Sequence, residues 1–340
     1  MIGVGLQIGN VATKVVANGK TVCFPSVAVP AYLVDMHDGL RAVRTAYTLA
    51  DGSQWVTGQQ ALYSPYAMQH TSAKKYETRE FQALALAAMQ AVMPQGLTDD
   101  VLIFAGQPGA WFKQKANVQA MQQSLEAALS HWADPYTVNI KVVPDVAGVY
   151  FRSVSMQGFP DPKQMQGITA ALDLGYRDVG VGLWRNGVLS DMTSIPHGAA
   201  RLVEAVKLRL LRLFTYEGSD ALIDLALRKG SMMMDGNKFV FLDDAVIRTK
   251  MAAHLQLVLN EIERVLNTYP RVERLVVGGG ALLMPTWAEQ IFERFGSVVV
   301  VPGWSPSQGF ATIAQAESHL CGVRGFEAIA SMQAVRSARS

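Results

Sequence analysis

Cysteine is scarce in this chain: Cys23 and Cys321 stand alone in 340 residues, with no CxxC pair. That argues against a disulfide framework or a cysteine zinc cage and suggests a reducing compartment, so a cytoplasmic location is expected. Net charge is also small. Thirty Lys and Arg face 28 Asp and Glu, for a net of +2. The basic residues do not cluster, and Arg336 and Arg339 near the end read as solvated, so no direct nucleic-acid binding is expected. No basic segment precedes the opening Met-Ile-Gly-Val-Gly, so no signal peptide is read there. The charge-free run from Phe81 to Thr98 holds several glutamines and Pro94. It reads as mostly buried helix, because a membrane span needs about 20 mostly apolar residues; no membrane partner is expected.

Several catalytic signatures are missing as well. There is no GxxxxGK[ST] and no strand-linked GxGxxG followed by an acid, which removes the P-loop and Rossmann readings. Gly19-Lys20-Thr21 looks like the end of a P-loop, but Lys14 occupies the place of the required earlier glycine. The six histidines are scattered, none spaced as a helical metal pair, and His197 reads as a loop residue. No GxSxG elbow occurs, and neither cysteine has a histidine in a recognisable catalytic setting. Met232-Met233-Met234-Asp235-Gly236 resembles a methionine-rich interaction surface, though a hairpin edge or core packing is the favoured reading.

What is present is a pair of β-hairpins on one plan, Val4 to Gly19 and Ala171 to Gly187. Each apolar strand ends in a polar-Ile/Leu-Gly turn, Gln7-Ile8-Gly9 in one and Asp173-Leu174-Gly175 in the other. Each second strand then runs into Asn-Gly, the pair suited to a type I′ turn. A glycine-tipped turn lets backbone N–H groups close on an anion, and two such turns can grip a polyphosphate. The duplication favours two domains of similar build.

The rest of the chain alternates strand and helix. Strands are expected at Thr21–Val29, broken by Pro25, at Val101–Ala105, at Val138–Val143 and at Leu275–Val277. Helices are expected at Thr78–Met93, Lys113–Trp132, Gly198–Phe214 and Ala245–Tyr269. The last carries Ile247, Met251, Leu255, Val258, Ile262 and Leu266 along one face. The turn-rich segment from Met156 to Lys163 puts a boundary near 150 to 165. Gly278-Gly279-Gly280-Ala281 follows an apolar strand and permits close backbone approach to a ligand, or serves only as a structural turn.

Two phosphate-type hairpins, Pro144-Asp145-Val146-Ala147-Gly148 between them, the Gly278 to Ala281 turn and a late Pro306 to Ala311 segment resemble, in this order, the actin-like ATPase superfamily. Within it, Phe24-Pro25-Ser26-Val27, Val56 to Leu62, Ala105 to Gly109 and Leu227-Arg228-Lys229-Gly230 resemble bacterial actins of the ParM and Alp type, which segregate plasmids. The resemblance implies an α/β, two-domain actin-like fold, a duplicated ribonuclease-H-like core with a nucleotide cleft between domains. Domain I would span 1–148, with 308–340 returning to it, and domain II 149–307.

It also implies site residues. Asp173 would hold the water shell of Mg2+, with Gly175, Tyr176 and Arg177 forming the second phosphate turn. Gly9, Asn10 and Lys14 would serve the first, Lys14 reaching the β- and γ-phosphates. Gly278, Gly279, Gly280 and Ala281 would pass along the adenosine. Asp145 would orient the attacking water, or simply cap the helix that follows it. Gln7 stands where relatives carry Asp; it can bond a metal-bound water but brings no charge, so slower hydrolysis is expected. Ala314 stands where relatives often have Gly.

The activity implied is ATP hydrolysis, with GTP possible, coupled to a homopolymeric filament and to a DNA-binding adaptor of the ParR type. The alternatives are a slowly hydrolysing scaffold or a sugar or acid kinase of the same superfamily. A kinase needs a substrate cleft with its own catalytic acid, and none is evident. Tyr63 to Tyr66 and Trp304 are candidates for filament contact.

Overall fold

The computed structural model describes residues 1–35, 45–62, 64, 66–67, 72–94, 96–159, 166–216, 218–269, 271–302 and 318–337. Tyr63, Trp304, Ala314 and the Pro306 to Ala311 segment lie outside the described residues. The chain divides into two compact units, Met1–Pro144 with Val323–Ser340, and Asp145–Gly322.

The first unit contains β1 (Ile2–Ile8), β2 (Ala12–Ala17), β3 (Lys20–Pro25), β4 (Ala28–Pro30), α1 (Ala31–Asp35), β5 (Ala46–Thr48) and β6 (Gln54–Thr57). It continues through α2 (Arg79–Val92), β7 (Val101–Gln107), α3 (Gly109–Phe112), α4 (Lys115–Ala133) and β8 (Val138–Pro144). Its main sheet has the order β3-β2-β1-β7-β8, and β4, β5 and β6 form a second, small sheet. Helix α2 starts where the Thr78 side chain accepts from Phe81 N, and it buries Phe81, Ala85, Met89 and Val92 in the unit's core.

The second unit repeats the plan. After α5 (Asp145–Ser155) come β9 (Ile168–Leu174), β10 (Val179–Arg185), β11 (Val188–Ile195), α6 (Ala200–Phe214) and α7 (Asp220–Lys229). Then follow β12 (Ser231–Met234), β13 (Asn237–Val240), α8 (Ala245–Leu266), β14 (Arg274–Gly278), α9 (Trp287–Phe295) and β15 (Val299–Val300). Its sheet order is β11-β10-β9-β14-β15. In both units the first strand of the hairpin pairs antiparallel with the second and parallel with a later strand, β7 in one and β14 in the other. The duplication seen in the hairpins therefore extends to whole five-stranded sheets. Asn18-Gly19 and Asn186-Gly187 have φ of 50° and 75°, and of 51° and 79°, as a type I′ turn requires.

Helix α8 buries Ile247, Met251, Leu255, Val258 and Ile262, while Leu266 is half-buried. Asp244 caps it, accepting from Ile247 N at 2.9 Å and from two nitrogens of Arg209. Those Arg209 hydrogen bonds hold the carboxyl below the usual carboxylate range. Met232 to Met234 form one strand of the β12–β13 hairpin, with Met234 buried and Met233 exposed. Helix α7 is an element the periodicity does not reveal, because it is short; Ser219 caps its start and Gly230, at φ 74°, ends it.

The chain closes with α10 (Cys321–Ser337), whose segment from Val323 onward belongs to the first unit. It explains two early glycines. A Cβ on Gly5 would collide with the carbonyl oxygen of Val323, and one on Gly3 with the backbone of Ser331. These glycines let the helix lie directly on the β1 backbone. Gly5→Ala is expected to lower unfolding stability by about 3 kcal/mol through overpacking, measured by urea denaturation; an unchanged midpoint would show that the helix yields instead.

Candidate functional site

In the second unit, β9 delivers Asp173 to the sheet end, where it stands in register with Gly278 of β14 and Gly180 of β10. The turn after it closes by a bond from Gly175 N to Asp178 O of 3.0 Å. The first unit closes its turn by the same bond, from Gly9 N to Ala12 O, also 3.0 Å. In each case a Cβ on the glycine would come within 2.7 to 2.9 Å of the carbonyl oxygen it bonds. Glycine is therefore required at both tips by close approach as well as by turn chemistry.

Gly279 has φ 103°, and a Cβ there would lie 2.6 Å from Asp173 Oδ1 and closer still to Leu174 N. The triple-glycine turn thus runs directly against the Asp173-Leu174-Gly175 turn. Ala281 is fully buried in the short helical turn that follows. Val146, next to Asp145 in α5, lies 3.4 Å from the Cβ position of Gly180, and the Asp173 Cβ lies 3.7 Å from the same point. Asp173, Gly175, Gly278 to Gly280 and the first turn of α5 are therefore assembled in one place within this unit. Asp145 itself is half-buried in that first helical turn, where a carboxylate complements the helix dipole.

Helix α7 joins these two turns through Asp220 and Asp224, which the sequence reading did not single out, and through Arg228, which it quoted only within Leu227 to Gly230. The Tyr176 hydroxyl, on the phosphate turn, donates to Asp220 Oδ2 at 3.3 Å, and Lys207 bonds the other oxygen of that carboxylate. One and two helical turns further on, Asp224 pairs with Arg228 through bonds of 2.7 and 3.0 Å. The Arg228 guanidinium packs against Gly280. Burial, reinforced by the Asp220 and Asp224 charges, pushes the Tyr176 hydroxyl above its ordinary range, so it stays a protonated donor. The i, i+4, i+8 spacing of Asp220, Asp224 and Arg228 was the available signal; without a helix assigned there it had no face to mark. The amino end of α6 rests on the same turn, with Gly198 N bonded to Arg177 O and Ala200 N to Tyr176 O.

In the first unit, Gln7 and Lys14 face each other across β1 and β2, and Lys14 Nζ donates to Gln7 Oε1 at 3.2 Å. Asn10 is buried beside the turn glycine, where Lys75, a residue missed in the sequence, donates to its Oδ1 at 3.3 Å. Thr13 and Ser26 hydroxyls bond at 2.8 Å on the neighbouring strand. Gln7, Gly9, Asn10 and Lys14 thus form a cluster of their own. Gly19-Lys20-Thr21, the P-loop look-alike, is a hairpin turn leading into β3.

Among the described residues no three His, Cys, Asp or Glu side chains converge as a metal cage. Magnesium does not need one, since it usually keeps several waters and takes one or two carboxylates together with substrate phosphates. A lone Asp173 at a phosphate-type turn fits that donor set. No described helix is long and apolar enough to cross a membrane.

Two five-stranded sheets of identical order, each with a glycine-tipped turn at the same place in its hairpin, define a protein of the actin fold. Residues 5–146 match the family described as actin like proteins N terminal domain. Over those residues the chain is similar to actin-like proteins, and it shares its fold with solved ParM and Alp structures. Among solved structures it is similar to Ta0583, an archaeal actin homologue also solved in complex with ADP. They share 17% identity and a TM-score of 0.72, with 98% of this chain and 100% of that chain covered. A 15-stranded ParM filament from Clostridium botulinum matches at 13% identity and a TM-score of 0.69, over 97% and 99% of the two chains. The Alp12 filament matches at 17% and 0.61, over 98% of each. A search of curated proteins gave no match.

Proposed function

We propose that this chain binds ATP with magnesium, hydrolyses it and assembles into filaments, and that those filaments segregate plasmid or other DNA through an adaptor of the ParR type. The observation that carries the nucleotide reading is the contact of Gly279 with Asp173, beside a phosphate turn whose counterpart recurs in the other unit. The archaeal homologue with ADP and the ParM and Alp12 filaments support the nucleotide and the polymer respectively. In this reading Gly9, Asn10 and Lys14 serve one phosphate turn, and Gly175, Tyr176 and Arg177 the other. Gly278 to Ala281 pass the nucleoside, with Arg228 behind them, and Asp145 orients the attacking water. Asp173 holds the metal's waters, and the metal, when bound, supplies charge neutralisation on the phosphates. The protein's share of such chemistry is positioning and fixed charge.

One observation favours a second reading, a slowly hydrolysing scaffold. Gln7 is a neutral amide bonded to Lys14, so the first motif strand brings no carboxylate toward a metal. Light scattering and negative-stain imaging with magnesium and ATP, ADP or a non-hydrolysable analogue, with released phosphate followed in parallel, separate the two. Filaments that disassemble as phosphate appears support the segregation reading. Persistent filaments with negligible phosphate support the scaffold, and no polymer under any nucleotide shifts the weight to a kinase. Gln7→Asp is expected to raise phosphate release roughly tenfold, the scale on which groups behind a metal's ligands act. A rate no higher than the parent's under saturating magnesium counts against the account of Gln7.

A further inference from the structure

Among the described residues Lys75 is the one buried lysine, 5% exposed. It lies in the short helical turn Ala73–Glu77, and its carbonyl accepts from both the hydroxyl and the backbone N–H of Thr78, the cap of α2. From there its side chain reaches the first phosphate turn. The ammonium donates to Ile8 O at 2.9 Å and to Asn10 Oδ1 at 3.3 Å, the residues on either side of Gly9. On the way it stands 5.5 and 5.6 Å from the ring centroids of Tyr76 and Trp111, both buried. A small opening beside Gly9 is lined by Lys75, Ser26, Thr78 and Glu80.

A buried ammonium is costly to desolvate and stays only where acceptors and rings hold it. Here both acceptors belong to the turn itself. With Lys75 bonded on both sides of Gly9, the turn cannot widen or flip without breaking a charge-assisted hydrogen bond. Lys14 adds a second ammonium on the same strand pair, next to the neutral Gln7. The turn therefore carries fixed positive charge in a poorly solvated setting, where it acts more strongly on an anion than it would in water.

We infer that Lys75 is a positioning residue of the first phosphate turn: its ammonium sets the turn's shape and charge before a polyphosphate arrives. The inference rests on the nucleotide reading above and adds a residue to it. A purely structural lysine would affect folding alone, whereas a positioning lysine affects ligands that carry phosphates and spares those that do not.

The test uses the full chain as parent, Lys75→Met, Lys75→Arg and Asn10→Ala, each titrated calorimetrically with magnesium-ATP, magnesium-ADP and adenosine, with a melting curve taken without ligand. Lys75→Met is expected to bind ATP and ADP roughly tenfold more weakly, the scale of one charge-assisted hydrogen bond, with adenosine unchanged. Lys75→Arg recovers part of the loss. Asn10→Ala, which removes one acceptor and leaves the core intact, weakens ATP by about threefold. Lys75→Met binding within about twofold of the parent, or weakening all three ligands alike, overturns the inference. Should Lys75→Met fail to fold, Asn10→Ala decides, and parent-like ATP affinity there overturns it as well. A parent that binds no nucleotide removes the nucleotide reading and this inference together; a binding parent with unaffected variants removes only the inference.

Discussion

Asp173→Asn is expected, on the proposed nucleotide reading, to lower the affinity for magnesium-ATP by roughly 10- to 100-fold, the effect of losing a group that orients a metal's ligands. Asparagine keeps the shape of the side chain, so the half-buried strand end and its pairing with Gly278 and Gly180 persist. What disappears is the negative charge beside the phosphate turn, which hard cations prefer to a neutral amide. Unfolding stability without ligand is expected to change by no more than about 1 kcal/mol, the net worth of an ordinary hydrogen bond. Calorimetric titration with and without EDTA checks this. The gap between variant and parent closes when magnesium is removed, because the charge acts through the metal. A variant that binds magnesium-ATP as tightly as the parent takes Asp173 out of the site.

Gly279→Ala is expected to do more, harming both fold and site. At φ 103° an L side chain is strained by roughly 1 to 3 kcal/mol. The added methyl would also press on Asp173 Oδ1 and Leu174, on backbone that the parallel pairing of β9 and β14 holds in place. Overpacking of that kind adds about 1 to 3 kcal/mol more. Urea denaturation is expected to show a loss on the order of 3 kcal/mol or more. At temperatures where the variant is still folded, nucleotide binding is expected to fall by roughly 100-fold, since the displaced Asp173 and a misplaced glycine turn act on the same ligand. Gly19→Ala provides the comparison: its Cβ meets nothing within 4 Å, so only the backbone strain of a positive φ remains. Equal stability losses in the two variants would show that the Asp173 contact contributes nothing.

Much of the candidate site could be read in the sequence because its chemistry is local. Gly9 and Gly175 end their strands at a bond spanning three residues, and Asn18-Gly19 and Asn186-Gly187 set a turn from two residues' φ values. The face of α8 from Ile247 to Ile262 follows from helical period alone. The parts that were missed are of another kind. Lys75 meets Asn10 across 65 positions, and Arg228 lies on Gly280 only because α7 packs beside the triple-glycine turn. The early glycines of β1 carry no assignment when the sequence is read alone. Two of them, Gly3 and Gly5, are there for a helix more than 300 residues away.

The sequence by itself determined where the two hairpins turn, where the long helices α2, α4, α6 and α8 form and that the plan is duplicated, since each depends on the dihedral preferences and periodicity of neighbouring residues. Tertiary structure alone decided that the two sheets share one strand order, that α10 lies on bare β1 backbone, and that the buried Lys75 ammonium reaches the backbone beside Gly9. Those outcomes depend on which distant surfaces fill each other's space and on which buried charge finds a partner. Close packing settles such questions over the whole fold at once.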